Sequence, residues 1–255
     1  MKKPKIIAFS NQKGGVGKTT CTREIGIYLA SVEKKVLLVD TDPQANLTKS
    51  LSDYEINPGL YEALTEPDCE TRRINDNLSI LAGSVKLALL EKSLVGELDA
   101  YTRLKELLQN DNFKEYDYIL IDTPPSLGVL TINALTCSDF LIVPMSPSFY
   151  SMQGTNDLMV TVAKIKKNLN PNLSLLGVII NCFDTIPLIT RQIKDEIVRS
   201  FKDKVFSTVI SKSIKIEEAI IRKTGIIFVK TKVTDEIKII GDELQNRLEG
   251  CDHGE

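Results

Sequence analysis

The stretch Asn11-Gln12-Lys13-Gly14-Gly15-Val16-Gly17-Lys18-Thr19-Thr20 decides how the rest of the chain is read. It follows the apolar run Ile6-Ile7-Ala8-Phe9 and leads into a segment with helical spacing, in which Ile25 and Leu29 lie one turn apart. A strand that turns through glycines into a helix builds an anion cradle. Backbone N–H groups converge there because no Cβ blocks close approach, and the helix adds its own unpaired N–H groups and positive dipole end. Beside such a cradle Lys18 is placed for the β- and γ-phosphates of a nucleotide, and the Thr19 hydroxyl for Mg²⁺. Gly14, Gly15, Val16, Gly17 and Thr20 complete the expected phosphate-binding turn.

Outward from this turn, strand-length apolar runs recur at 6–9, 36–39, 118–121, 140–143 and 175–180. Segments with helical spacing lie between them, marked by Leu104, Leu107 and Leu108 and by Leu158, Val162, Ile165 and Leu169. This alternation predicts an α/β fold of the P-loop NTPase type, a mostly parallel twisted sheet with helices on both faces. No repeat or low-complexity linker interrupts it, so 1–250 is expected to form a single domain and 251–255 a disordered tail. The last helix is expected to start at a Thr234 cap and to present Ile237, Ile240, Leu244 and Leu248 on its apolar face. Its polar face is acidic, which suits docking on its own domain and not a membrane surface.

Composition removes whole classes of protein. With 255 residues, 42% hydrophobic and 26% charged, the chain is neither disordered nor collagen-like. No run approaches the roughly 18 apolar residues of a membrane span. The opening apolar stretch stops at Ser10, short of a signal-peptide core, so a cytoplasmic protein is expected. Cys21, Cys69, Cys137, Cys182 and Cys251 are scattered, without the spacing of a metal site or a disulfide frame. A formal net charge of -2 announces no nucleic acid, so any such binding needs a local patch.

Three carboxylates stand at strand ends. Asp40-Thr41-Asp42-Pro43-Gln44-Ala45-Asn46-Leu47-Thr48 closes the second run and Asp122-Thr123-Pro124-Pro125-Ser126 the third. Ligands of open α/β sheets bind outside the carboxyl ends of the strands, which gathers Asp40, Asp42 and Asp122 on the edge of the glycine turn. Three like charges beside a triphosphate imply a bound cation. Asp122 is then a Mg²⁺ ligand, directly or through water, and Asp40 or Asp42 orients an attacking water.

The glycine turn departs from the general G-x-x-x-x-G-K-[ST] pattern, because Gln12 stands where the first glycine is asked for and Lys13 precedes Gly14. In this form it resembles the ParA/MinD family of deviant P-loop ATPases. The segments 116–128, Asn133-Ala134-Leu135, Val143-Pro144 and 201–210 extend the resemblance, to the small chromosomal ParA type, over nearly the whole chain. The resemblance implies a slow ATPase for chromosome or plasmid partition, using ATP and Mg²⁺. It assigns Asp42 to the hydrolytic water, Asp40 to the metal neighbourhood, and Lys13 to a lysine that reaches across an ATP-sandwiched homodimer. Asn181 and the 211–214 loop are implied to flank the adenine.

The same resemblance implies non-specific binding of double-stranded DNA by the dimer, association with the nucleoid, and a ParB-type centromere-binding partner that stimulates hydrolysis. Residues 191–232 hold eleven basic side chains against five acidic ones. Within them Arg191 and Lys215 match the family in part, and Arg222 and Lys223 stand in for arginines it usually has elsewhere. An N-terminal DNA-reading extension is not expected, so neither is operator-specific repression. The alternative is a MinD-like cell-division regulator at the membrane, against which the acidic last helix speaks. An iron–sulfur relative would need cysteine where Val129 stands.

Overall fold

The computed structural model describes residues 3–66, 71–148, 151–184 and 187–252, without the side chains of 151–154 and 252. The elements run β1 (Lys5–Phe9), α1 (Lys18–Ser31), β2 (Val36–Asp40), α2 (Asn46–Leu51), α3 (Leu60–Thr65), β3 (Arg72–Asn75), β4 (Leu78–Leu81), α4 (Lys86–Ser93) and α5 (Arg103–Leu108). They continue with β5 (Tyr118–Asp122), α6 (Val129–Cys137), β6 (Phe140–Met145), α7 (Ser151–Asn168), β7 (Ser174–Ile180), α8 (Leu188–Phe201), α9 (Ile214–Ile221) and α10 (Lys232–Asp252).

Among the described residues the strands form one sheet in the order β3-β4-β2-β5-β1-β6-β7. All neighbours are parallel except β3, which runs against β4 at the edge. The central strands are apolar at nearly every position because both of their faces are covered. Ile7, Phe9, Leu38, Leu120 and Ile142 point into a core shared with α1 and α10. Their sequence neighbours Ile6, Leu37, Val39, Ile119 and Ile121 pack with α4, α5 and α6 on the other face. Ala8, Leu141, Val143 and Val178 extend that second face under α7 and α8. Helices therefore sit on both sides of a mostly parallel sheet, the expected architecture.

The strand order is what assembles the site. β5 lies between β1 and β2, and the register pairs Asp122 with Phe9 on one side and with Asp40 on the other. The last residues of three strands are thus brought side by side, roughly 4.8 Å apart by strand spacing.

Two details differ from the sequence reading. The last helix begins at Lys232, two residues before Thr234, because Thr231 supplies the cap: its hydroxyl accepts from the Thr234 N–H at 3.3 Å. The helix also runs through Cys251 and Asp252, while 253–255 lie outside the described residues. Its apolar face is as expected, with Ile237, Ile240, Leu244 and Leu248 all buried. Each such side chain removed from water stabilises by about 1.5–3 kcal/mol, which is why this helix docks so firmly. The strands β3 and β4 carry no clear sequence signal: Arg72–Asn75 is polar, and Leu78–Leu81 is only four residues long.

Candidate functional site

The turn between β1 and α1 is fixed at both ends before any ligand arrives. Asn11, buried after β1, donates its amide to the Pro144 carbonyl at 2.8 Å and accepts the Lys13 N–H at 3.0 Å. Asn181, buried after β7, donates to the Val16 carbonyl at 3.0 Å. Gly15 and Gly17 take φ of +72° and +90°, the left-handed region that side chains disfavour. At Gly17 a Cβ would also lie 1.7 Å from the Asn181 amide nitrogen, so glycine is required twice over. Gly17 caps α1 with its carbonyl, which accepts the Cys21 N–H at 2.9 Å.

The groups named for phosphate and metal converge on this turn. The Lys18 ammonium is buried and donates to the Lys13 carbonyl at 3.3 Å. Burial lowers its proton affinity, and Asp122 and Asp42 pull it back up. The Thr19 hydroxyl donates to Asp122 Oδ2 at 2.6 Å, while Asp122 Oδ1, also buried, has no hydrogen-bond partner among the described residues. Burial first, and the neighbouring Asp40 second, push the Asp122 carboxyl well above the usual carboxylate range. An unpartnered buried oxygen, a hydroxyl beside it and an acid short of positive charge together fit a small divalent cation. Thr19 and Asp122 are the residues that would hold Mg²⁺.

Asp40 is placed beside Asp122 but its oxygens have other partners. Oδ2 accepts both the N–H and the hydroxyl of Thr48, at 2.9 and 2.7 Å, and Oδ1 accepts the Asp42 N–H at 3.2 Å. Burial raises its pKa to about 6 against those hydrogen bonds. A Cβ on Gly83 would lie 2.8 Å from the Asp40 carboxyl carbon, so that side is closed as well. Asp42 faces an open cleft of about 630 Å³ with Gly14, Gly15, Lys18, Thr19 and Pro125. Its Oδ1 accepts the Gln44 N–H at 2.9 Å, which sets the carboxylate's direction.

Lys13 lies half-buried at the rim, with its ammonium hydrogen-bonded to the Ser148 hydroxyl. Asn181 holds the loop through Val16, and Ser211, at the start of the other expected adenine wall, is bonded to Glu236 through its N–H and hydroxyl at 2.8 and 2.6 Å.

A sequence-family model described as an AAA domain matches residues 4–175. The sporulation initiation inhibitor protein Soj of Bacillus subtilis is 39% identical over 221 residues, covering 84% of this chain and 87% of Soj. The chromosome partitioning protein ParA of Myxococcus xanthus is 34% identical over 251 residues, covering 95% of this chain and 88% of that protein. The chain belongs to the ParA family of P-loop ATPases. Among solved structures, a cobyrinic acid a,c-diamide synthase from Mycobacterium smegmatis, with bound ADP and magnesium, superposes with a TM-score of 0.85 at 28% identity. That alignment covers 97% of this chain and 96% of the synthase.

None of the four basic residues expected to contact DNA in this ParA-family chain is among the residues that line the cleft. Arg191 is exposed on α8, and Arg222 is exposed just after α9. Lys215 is exposed on α9 and paired with Glu218 at 2.9 Å. Lys223 is turned the other way: it donates to the Lys49 carbonyl at the end of α2 and pairs with Asp53 at 3.3 Å. Sequence reasoning also passed over Asn11, Thr48 and Ser148. Thr48 and Asn11 stood inside the stretches already singled out, where a buried hydroxyl or amide beside a strand-end acid is the available signal; Ser148 has none.

Proposed function

We propose that the chain is a partition ATPase acting on the nucleoid in the cytoplasm, with 1–250 working as one ATPase unit. It binds ATP with Mg²⁺, pairs with a second copy around the nucleotide, and in that state holds duplex DNA without regard to sequence. A ParB-type partner resets it by stimulating slow hydrolysis.

The observation that carries this reading is the pair Thr19 and Asp122, 2.6 Å apart beneath the glycine cradle with one carboxylate oxygen unclaimed. Mg²⁺ held there, with Asp40 behind it, would neutralise charge on the β- and γ-phosphates. Lys18 contributes the ammonium for the same oxygens, and the amides of 14–20 the cradle. Asp42, aimed by Gln44, orients the attacking water. Lys13 leaves Ser148 to cap the terminal phosphate of the facing protomer, acting in trans on charge that develops during transfer. Asn181, beyond holding the loop, borders the base.

The basic side chains Arg191, Lys215 and Arg222 supply the DNA contacts, with Lys223 joining them when it leaves α2. Six phosphates engaged per dimer give a slope of log K against log salt of about -5. The apolar stripe of α10 is buried in the fold, which speaks against that stripe serving as the membrane-docking face of a MinD-like protein.

The test is ATP turnover with and without Mg²⁺, DNA and a ParB-type protein, alongside filter binding of random duplex DNA. Turnover is expected to need Mg²⁺ and to rise with both additions, and DNA retention to need ATP. Equal retention with ATP and ADP, or none at low salt, refutes the DNA half. Lys13→Ala is expected to bind nucleotide yet remain monomeric on a sizing column; normal dimers argue against the trans role.

A further inference from the structure

Arg23 and Glu24 are consecutive on α1, both fully buried, and paired with each other. Neither touches the phosphate turn through its polar atoms. Arg23 Nη2 donates to the Ser50 carbonyl in α2 at 3.3 Å and to the Thr224 carbonyl after α9 at 2.8 Å. Glu24 Oε2 accepts the Ile226 N–H at 2.8 Å. Lys223 makes the same crossing from the other side, from the turn after α9 to Lys49 and Asp53. Arg23 and Lys223 thus bind α2, the helix that follows Asp42, to the turn that follows α9, and Glu24 holds that turn to α1; all the bonds run to backbone or to each other except Lys223 to Asp53.

The arrangement is costly for a purely structural joint. Two charges are taken fully out of water, and Arg23 Nε is left with no partner among the described residues. Arg23 lies buried directly behind the wall of the cleft, whose surface there is made by Ser50 and Ile220 from the two elements it joins. A planar guanidinium bridges two carbonyls in one fixed direction, which a hydrophobic contact of the same size does not.

We propose that Arg23 is a positioning residue that couples the nucleotide cleft to the basic segment, making α2 and the 222–226 turn shift together when a nucleotide seats beside Asp42. Lys223 serves this latch before it serves any DNA phosphate. The inference rests on the ATP reading above, but its observable is internal to the chain and needs no DNA.

Hydrogen exchange read by mass spectrometry, with Mg²⁺ and a non-hydrolysable ATP analogue, tests it. In the wild-type chain the analogue is expected to slow exchange at 14–20 and, by fivefold or more, at 222–228. Arg23→Lys keeps a cation beside Glu24 but loses the fork, so the response at 14–20 persists while that at 222–228 drops to under twofold. Lys223→Gln, at a half-exposed position that puts folding at little risk, lowers the same response by part. Protection at 14–20 with no wild-type response at 222–228, or an undiminished response in Arg23→Lys, overturns the latch alone. No protection at 14–20 overturns the ATP reading, and the latch with it.

Discussion

The two halves of α1 are built on opposite terms. Its first turn, capped by Gly17, is short of internal partners: a cap residue in the left-handed region, a lysine with a lowered proton affinity, and a hydroxyl resting against an acid whose burial outweighs the pull of the nearby Lys18. Its remaining three turns are over-supplied, with Arg23 and Glu24 bonded to α2 and to 224–226, and Tyr28 packed on Gly241 and hydrogen-bonded to Asp242 of α10. One helix therefore holds an open binding end rigid by anchoring the other end.

The largest effect on this contrast is expected from Gly17→Ala. The new Cβ meets both the +90° backbone and the Asn181 amide, so nucleotide affinity should fall by 100-fold or more, about 2.7 kcal/mol or greater. Adding Asn181→Ala removes the clash but not the torsion, and calorimetric titration should show only part of the affinity returning. Full recovery would mean that alanine adopts the +90° backbone at this position without cost.

Asp122→Asn separates binding from stability. The neutral amide keeps a partner for Thr19 but gives up the charge that a cation needs, so Mg²⁺-dependent turnover is expected to drop by about 10²-fold or more. Because burial penalises the ionised acid, the same variant should raise the melting temperature of the nucleotide-free chain. A lowered melting temperature would show that the carboxylate is already compensated inside the fold.

The front half of α1 was legible because its chemistry is local. Glycines, a lysine and a threonine within seven residues can do little but cradle an anion, and the strand-end acids follow from strand order alone. The back half was not legible. Arg23-Glu24 on a helix reads as a solvated face, and nothing in the neighbouring residues shows that Thr224 and Ile226 cover it from 200 positions away. The same holds for Lys223, whose charge suggested DNA and whose partners turned out to be Lys49 and Asp53. Periodicity identifies an apolar stripe; it does not identify a buried charge that pairs at long range.

At the anchored end, Gly241→Ala probes packing without touching the cleft. Its Cβ would lie 2.1 Å from the Tyr28 ring, so α10 must shift away from α1. Overpacking of this kind costs about 1–3 kcal/mol, read as a lower denaturant midpoint. Nucleotide affinity should change less than threefold if Arg23 and Glu24 suffice to hold the first turn, and a tenfold loss would show that the anchor extends back to α10.

The smallest effect belongs to the Tyr28 hydroxyl, and pH isolates it. Removal from water, with the Asp242 carboxylate beside it, lifts its pKa from 10 to about 12. The fold thus keeps this proton where the unfolded chain releases it, so the stabilisation is complete below pH 10 and is lost as pH rises through 12. Tyr28→Phe should cost about 0.5–1.5 kcal/mol at neutral pH, the usual worth of one hydrogen bond. The gap between the two chains should then close from pH 10 to 12, since only the parent has something to lose there. A gap that stays constant across that window would mean that the hydroxyl contributes through packing, and that Asp242 holds α10 by some other group.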